Sequence, residues 1–292
     1  MRTALLLSLI VLSPGLFGQA TFDIEGHRGC RGLRPENTIA AFINAVKLGV
    51  NTLEMDMQIS KDGKIVISHD AFMGSNICSA PDGKPVTQAD EEKLKIYTLT
   101  YDEIKKYDCG SRGNAKFPDQ QKMSTIKPLL SDVIDTVEKY IAEHHLPPVR
   151  YNIETKSTPA GDDINHPKPA VFAKMVYDLI KQKGVINKCI IQSFDPRTLQ
   201  EIRKIDPNIT TALLVENIKG LKANLALLGF NPTIYSPNYM LVNKKLVKEC
   251  HRMKIQVLPW TVNDEKKMIE LKQMGVDGLI SDYPDREIKV LR

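Results

Sequence analysis

Two carboxylates and an imidazole are predicted to meet on one hairpin within residues 52–70. Glu54 and Asp56 alternate with apolar residues there, and residues two apart on a strand project from the same face. A turn signal at residues 61–63 would return the chain so that His69 lies at the level of Asp56. A buried carboxylate pair needs a compensating cation, so the hairpin is a candidate catalytic or metal site. The alternative is an exposed edge hairpin that carries surface charges.

A second group of reactive residues follows the first predicted strand, between residues 26 and 38. His27 is a candidate general acid or base, although a lone histidine is more often structural. Arg28 offers fixed hydrogen-bond donors that suit a phosphate group. Glu36 and Asn37 are expected to brace the loop that leads into the next helix.

A third carboxylate is predicted to join the pair on the hairpin. Glu154 and Lys156 share one face at the end of another predicted strand. With Glu54 and Asp56, Glu154 would form an all-oxygen cluster, which suits a hard cation such as Ca²⁺ or Mg²⁺ better than zinc. Lys156 adds a point charge that suits an anionic oxygen.

Two aromatic residues are expected to wall the same pocket. Trp260 lies near the end of one predicted strand, and Phe194 lies two residues beyond Gln192 at the end of another, so both have positions at strand ends. They would contact the apolar part of a ligand. For Trp260, packing in the core is the alternative interpretation.

These candidate residues fall at the ends of predicted strands, which alternate with amphipathic helical patterns. Repeated strand–helix units without a Ser/Gly/Pro-rich linker indicate one domain with a parallel sheet. Eight or nine such strands in about 270 residues favour a TIM-type (β/α)8 barrel over an open doubly wound sheet. The predicted strands are residues 22–26, 52–59, 64–68, 150–155, 189–194, 211–215, 233–236, 256–262 and 278–281.

Residues 71–127 interrupt this alternation, directly after the strand hairpin. A long excursion inside a compact domain is usually a lid or a small subdomain, and we expect this insertion to cover the barrel mouth. Cys189 and Cys250 fall in core patterns, whereas Cys78 and Cys109 share the insertion, so those two are expected to pair. Two free surface thiols are the alternative.

The first twenty residues have the order of a secretory signal peptide: a basic start, an apolar run and small residues before a cleavage site. The apolar run is too short to span a bilayer, so we expect an exported protein without a stable membrane anchor, formed by residues 21–292. The formal charge is +5, and the charges are interspersed without a basic run, which argues against nucleic acid as a partner.

The chain resembles the glycerophosphodiester phosphodiesterase family, in its secreted bacterial type. The resemblance rests on motifs that occur in the family's order over nearly the whole chain. They are GHRG (26–29), RPENT (34–38), LEMD (53–56), SHD (68–70), IETK (153–156), QSF (192–194), WTVN (260–263) and DGLISDYP (277–284).

The resemblance implies hydrolysis of a small-molecule glycerophosphodiester to glycerol 3-phosphate and an alcohol. It also implies one divalent cation, Ca²⁺ or Mg²⁺, at Glu54, Asp56 and Glu154, and a catalytic pair at His27 and His69. Two imidazoles can divide the proton transfers, and we expect His27 to be the base and His69 the acid. Attack by water and attack by the neighbouring glycerol hydroxyl both fit the residues.

Two other functions are compatible with parts of this pattern. A related barrel phospholipase would act on lysophospholipid or sphingomyelin head groups and would need an apolar rim around the site. A non-catalytic binding barrel would be expected to have lost metal ligands or acid–base groups, yet all of them are present.

Overall fold

The computed structural model describes residues 22–292, so the predicted signal peptide lies outside the described residues. The strands are β1 (Asp23–Gly26), β2 (Thr52–Ile59), β3 (Ile65–Ile67), β4 (Arg150–Thr155), β5 (Cys189–Ser193), β6 (Thr210–Val215), β7 (Ile234–Pro237), β8 (Gln256–Val257) and β9 (Gly278–Ser281). The helices are α1 (Ile39–Leu48), α2 (Gln88–Glu91), α3 (Tyr101–Ile104), α4 (Leu130–Glu143), α5 (Pro169–Gln182), α6 (Pro196–Ile205), α7 (Leu221–Leu228), α8 (Lys244–Arg252), α9 (Glu265–Met274) and α10 (Pro284–Leu291).

The parallel strands form one sheet in the order β8-β7-β6-β5-β4-β2-β1-β9, and β3 pairs antiparallel with the outer part of β2. Backbone hydrogen bonds from Asp277 N to Val257 O (2.9 Å) and from Ile280 N to Pro259 O (3.1 Å) join the two ends of the sheet. The eight parallel strands therefore make a nearly closed TIM-type barrel with helices between them, and this prediction is confirmed.

The alternation in β2 sorts its side chains between two environments. Leu53, Met55 and Met57 are fully buried in the main apolar core. Glu54 and Asp56 point to the opposite face, into the barrel interior, where they meet Glu154. The two-residue period of a strand thus produces both an apolar outer layer and a polar mouth from one segment.

The barrel interior is apolar on one side only. Parallel register places Ile190, Ala212 and Ile234 on the same inward face, where they form a small cluster with Leu258. The inward positions of β1, β2 and β4 are polar instead, and they include the buried Asn152. The candidate site therefore lies over the polar half of the interior.

The final part of one predicted strand is not a strand. The pattern predicted residues 256–262, whereas β8 contains only Gln256 and Val257. Pro259 has no N–H, so it cannot donate a hydrogen bond to the neighbouring strand. Its carbonyl oxygen still accepts a hydrogen bond from Ile280 N. Beyond Pro259 a single parallel bridge pairs Trp260 with Asn238, and Trp260 N donates to Pro237 O (3.1 Å), which holds Trp260 at the mouth.

The insertion at residues 71–127 has a small core of its own around Met73, Ile96 and Ile104. A disulfide joins Cys78 to Cys109 inside that core, as predicted. Cys189 and Cys250 are buried and free, also as predicted.

The insertion stands beside the barrel mouth, and the prediction that it covers the mouth is wrong. Gln121 N donates to Leu33 O (2.9 Å), and Gln120 Nε2 donates to Arg31 O (2.6 Å), so the insertion packs on the loop that follows β1. Within residues 22–292, the cavity at the mouth has no lining residue from the insertion. The same part of the chain has no helix long and apolar enough to cross a membrane.

Candidate active site

Three buried carboxylates meet at the carboxyl ends of β2 and β4. Parallel register pairs Asp56 with Glu154, and each of Glu54, Asp56 and Glu154 offers an oxygen within 4.8 Å of the others. All three side chains are buried. The sequence pattern therefore placed these residues on the correct faces, and the register of the barrel brings them together.

Asp56 is held from two sides. Asn37 Nδ2 donates to Asp56 Oδ2 (2.8 Å), and Arg28 Nε lies 3.3 Å from the same oxygen. The other oxygen, Oδ1, is buried without a hydrogen-bond partner and lies 3.7 Å from Lys156 Nζ. One carboxylate oxygen is thus left free to face the centre of the cluster.

Glu54 accepts one bond from a backbone amide and one from a side chain. Arg28 N donates to Glu54 Oε2 (2.8 Å), and Gln192 Nε2 donates to Glu54 Oε1 (2.8 Å). Gln192 Oε1 accepts from Asn152 Nδ2 (3.2 Å), which also donates to Glu25 Oε2 (2.7 Å). A chain of buried amides therefore fixes Glu54 from below, inside the barrel.

The loop after β1 carries two non-glycine residues in the left-handed region. The φ angle of Arg28 is 50° and that of Asn37 is 57°. Such conformations are unfavourable for most residues and persist where surrounding contacts enforce them. Here they direct the Arg28 amide to Glu54 and the Asn37 side chain to Asp56, while Arg28 Nη1 pairs with Glu36 (2.7 Å). This is the bracing expected of Glu36 and Asn37.

The electrostatics of the cluster are uneven. Burial, and then Asp56 and Glu154, raise the pKa of Glu54 well above its ordinary value of 4.5. Burial also raises the pKa of Asp56, but the electrostatic effects of Arg28, His69 and Lys156 outweigh it and hold that pKa below its ordinary value. Lys156 Nζ lies 2.8 Å from Glu154 Oε1. The positive charges of the protein thus compensate Asp56 more fully than they compensate Glu54.

His27 presents one ring nitrogen to the cluster. Its Nδ1 lies 2.6 Å from Asp282 Oδ1, and its Nε2 lies 3.9 Å from Glu54 Oε2. A carboxylate only accepts, so Nδ1 carries the proton and the neutral ring keeps a lone pair on Nε2. Burial, aided by Arg31, lowers the pKa of His27 to about 4, which makes this neutral form the stable one at neutral pH.

His69 is held in the same manner on the returning part of the hairpin. Ser68 N donates to Asp56 O (2.9 Å), which fixes the level predicted for the imidazole. His69 Nδ1 lies 2.8 Å from Asp70 Oδ1, so Nε2 is again the free nitrogen. The side chain is 34% exposed, which makes His69 the more accessible of the two imidazoles.

These groups surround a cavity of about 150 Å³ at the barrel mouth. The Phe194 and Trp260 rings meet edge to face with centroids 5.3 Å apart. Trp260 Nε1 also donates to Ser236 O (2.8 Å), so this residue both packs the loop and lines the cavity. The lining residues are His27, Arg28, Arg31, Glu54, His69, Glu154, Lys156, Gln192, Phe194, Leu214, Trp260, Thr261 and Ile280.

Several functional side chains were absent from the predicted site. Asp282 holds His27 and Arg31, and Asn263 Nδ2 donates to its second oxygen (2.8 Å). Asp70 supports His69 as described above. Position was the available signal for Asp282, because it directly follows β9 at the carboxyl end of a barrel strand, where site residues collect.

The carboxylate cluster fits a divalent cation. Its donor atoms are all carboxylate oxygens, which are the ligands of hard cations. The unpartnered Asp56 Oδ1 is a buried acceptor that such an ion would satisfy. A cation would also remove the repulsion that raises the pKa of Glu54.

Known proteins are similar to this chain over most of its length. The model of the Glycerophosphoryl diester phosphodiesterase family matches residues 27–286. The chain is 28% identical over 312 residues to a Bacillus subtilis (strain 168) glycerophosphodiester phosphodiesterase, and the match covers 99% of this chain and 99% of the relative.

Solved structures share the fold. One from Silicibacter pomeroyi DSS-3 is 28% identical, covers 93% of each chain and gives a TM-score of 0.83. A phosphodiesterase from Oleispira antarctica, solved in complex with the product sn-glycerol-3-phosphate, is 22% identical with a TM-score of 0.72. That match covers 92% of this chain and 96% of the other, and it shows the fold alone.

The raised pKa of Glu54 predicts a pH-dependent stabilisation by Ca²⁺ or Mg²⁺. Without a cation, the ionised form of a group with a raised pKa is disfavoured in the folded state, so stability falls as the pH rises above 4.5. At pH values below the raised pKa of Glu54, protons compete with the cation for its carboxylate. We expect the melting temperature to rise on adding cation, by more at about pH 8 than at about pH 5.

At one hundred times the dissociation constant, the stabilisation should be about 2.7 kcal/mol. Differential scanning fluorimetry of wild type and Glu54→Gln measures it. The exposed Glu143→Gln on α4 is the matched control and should keep the full shift. An equal cation response in Glu54→Gln would show that the ion binds elsewhere.

Proposed function

Because the chain belongs to the glycerophosphoryl diester phosphodiesterase family, and is an enzyme of that type, we propose that it hydrolyses glycerophosphodiesters with one divalent cation and two histidines. The products would be glycerol 3-phosphate and an alcohol. One observation supports this reaction above all. Two imidazoles, each with Nδ1 held by an aspartate, line a cavity that is also lined by two of the three clustered carboxylates and by three cationic side chains.

The first requirement of phosphodiester cleavage is charge neutralisation. The phosphate oxygens are anionic, and charge accumulates on them in the transition state. Arg28 and Lys156 line the cavity and would pair with those oxygens. A cation held by Glu54, Asp56 and Glu154 would supply Lewis-acid stabilisation of the same oxygens.

The second requirement is a proton acceptor and a proton donor. We propose His27 as the base, because Asp282 fixes its tautomer and burial keeps the ring neutral. We propose His69 as the acid, because its accessible ring would reach the leaving alcohol at the open side of the mouth. The attacking group is water or the glycerol hydroxyl next to the phosphate, and His27 would take the proton of either.

The third requirement is a surface for the carbon atoms of the substrate. Phe194 is 40% exposed at the cavity edge, and Lys156 Nζ lies 5.9 Å from the centre of its ring. Phe194 and Trp260 would therefore contact glycerol carbons or the alcohol group while Lys156 faces the phosphate.

We also propose that the protein is exported. The predicted signal peptide supports this, and so does the disulfide between Cys78 and Cys109, because disulfides persist mainly in oxidising compartments.

A lysophospholipid is a second candidate substrate class, and one observation favours it. Ile164, Ile218 and Met240 are 55%, 94% and 74% exposed. They lie on the loops after β4, β6 and β7, on the mouth side of the barrel. By contrast, Met73 and Ile77 of the insertion are buried and offer no rim. An acyl chain leaving the phosphodiester site would meet these exposed residues.

Head-group release distinguishes the two substrate classes. With free choline as the readout, we expect faster turnover of glycerophosphocholine than of lysophosphatidylcholine. Replacing Ile218 and Met240 by Ser should leave the glycerophosphocholine rate unchanged, since neither lines the cavity that contains the two imidazoles. A preference for lysophosphatidylcholine that this double variant abolishes would establish the second candidate instead.

The histidine roles predict large losses of rate. His27→Ala and His69→Ala should each lower kcat by about 10²–10⁴-fold, the usual contribution of a positioned acid or base. The measurement is glycerol 3-phosphate release from glycerophosphocholine, with and without chelator. Chelator should abolish activity, and Ca²⁺ or Mg²⁺ should restore it.

His144→Ala is the control, because this exposed histidine ends α4 at the other end of the barrel. Near-full activity in folded His27→Ala or His69→Ala would refute the acid–base role of that residue. Activity that chelator does not reduce would refute the requirement for a divalent cation.

A further inference from the structure

We infer that Lys127, the last residue of the insertion, is a positioning residue that holds His69 ready to protonate the leaving alcohol. This inference rests on the proposed role of His69 as the acid. Lys127 is 7% exposed, and its Nζ donates to Ser68 Oγ at 2.8 Å. Ser68 directly precedes His69, and Lys127 lies outside the cavity lining. A residue of the insertion therefore contacts the serine next to His69 from outside the cavity.

The bond from Lys127 fixes the direction of the serine hydroxyl. An ammonium group only donates, so Ser68 Oγ must accept from it and give its own proton elsewhere. That proton goes to Asp70 O at 2.8 Å. Gln58 Nε2 donates to His69 O (3.2 Å). Three hydrogen bonds thus hold the chain at residues 68–70, and the bond from Lys127 is one of them.

The positive charge of Lys127 also favours the ionised form of Asp70, which holds the His69 ring. Asp70 accepts from His69 Nδ1 and must stay ionised to orient the ring. Burial raises the pKa of Asp70, whereas His69 and Lys127 lower it, and the net effect is a pKa below the ordinary value. The carboxylate of Glu36 also faces Lys127 and attracts it, while Arg28 repels it.

The insertion holds Lys127 in place through its backbone. Tyr101 Oη, from the insertion, donates to Lys127 O at 3.3 Å, and Ile67 N of β3 donates to Pro128 O at 2.8 Å. The chain at Lys127 and Pro128 therefore lies between the insertion and the hairpin that carries His69. A shift of this segment would move the imidazole relative to the substrate.

A positioning role and a purely structural role differ in their dependence on the leaving group. An alkyl alcohol needs a proton to leave, whereas p-nitrophenol is acidic enough to leave as its anion. Loss of His69 alignment should therefore slow cleavage of an alkyl diester and affect an aryl diester little. A general loss of folded structure would slow both equally.

The experiment compares Lys127→Met, Ser68→Ala and His69→Ala on glycerophosphocholine and on the p-nitrophenyl ester of glycerol 3-phosphate. For Lys127→Met we expect kcat on glycerophosphocholine to fall by about 10²-fold with KM unchanged, as for a small misplacement of a catalytic group. The loss on the aryl ester should be much smaller. Lys116→Met, an exposed lysine of the same insertion, should match wild type on both substrates.

Circular dichroism and melting curves establish that each variant is folded. If Lys127→Met does not fold, Ser68→Ala tests the same connection and should show the same dependence on the leaving group. Equal losses on both substrates, or no loss on either, would overturn the role of Lys127. If His69→Ala itself shows no leaving-group dependence, the proposed acid role fails first, which separates the two failures.

Discussion

The repulsion among three buried carboxylates is the constraint to which the rest of this structure responds. Two unit charges about 4 Å apart interact by about 4 kcal/mol at an effective dielectric constant near 20. Glu54, Asp56 and Glu154 meet within 4.8 Å, so ionising all three in the cation-free site is strongly disfavoured. Arg28 and Lys156 offset part of this repulsion and leave Glu54 the least compensated. The site is therefore built for a further positive charge.

The supporting residues follow from that constraint. The loop after β1 adopts left-handed backbone at Arg28 and Asn37, and in that conformation their donors reach the carboxylates. Asn152 and Gln192 replace the apolar residues that a barrel interior would otherwise contain, and they fix Glu54. The opposite half of the interior stays apolar and keeps the barrel packed. The apolar side of the barrel interior thus packs the fold, and the polar side holds the candidate site.

The sequence predicted the parts of this arrangement that depend on short-range periodicity. The alternation in β2 and β4 determines which side chains share a face, so the carboxylate cluster could be predicted without coordinates. The contact between His27 and Asp282 joins residues 255 positions apart, and no local pattern contains it. The position of the insertion beside the mouth depends on side-chain contacts with the loop after β1, which composition and periodicity do not encode.

Anomalous diffraction from crystals grown with Mn²⁺ tests the central claim most directly, because Mn²⁺ suits the same oxygen ligands as Mg²⁺ and Ca²⁺. We expect one strong peak within about 2.6 Å of oxygens from Glu54, Asp56 and Glu154. Asp56 Oδ1, which has no hydrogen-bond partner, should be among the ligands. A map without a peak between these carboxylates, with Lys156 as their only central cation, would contradict the account.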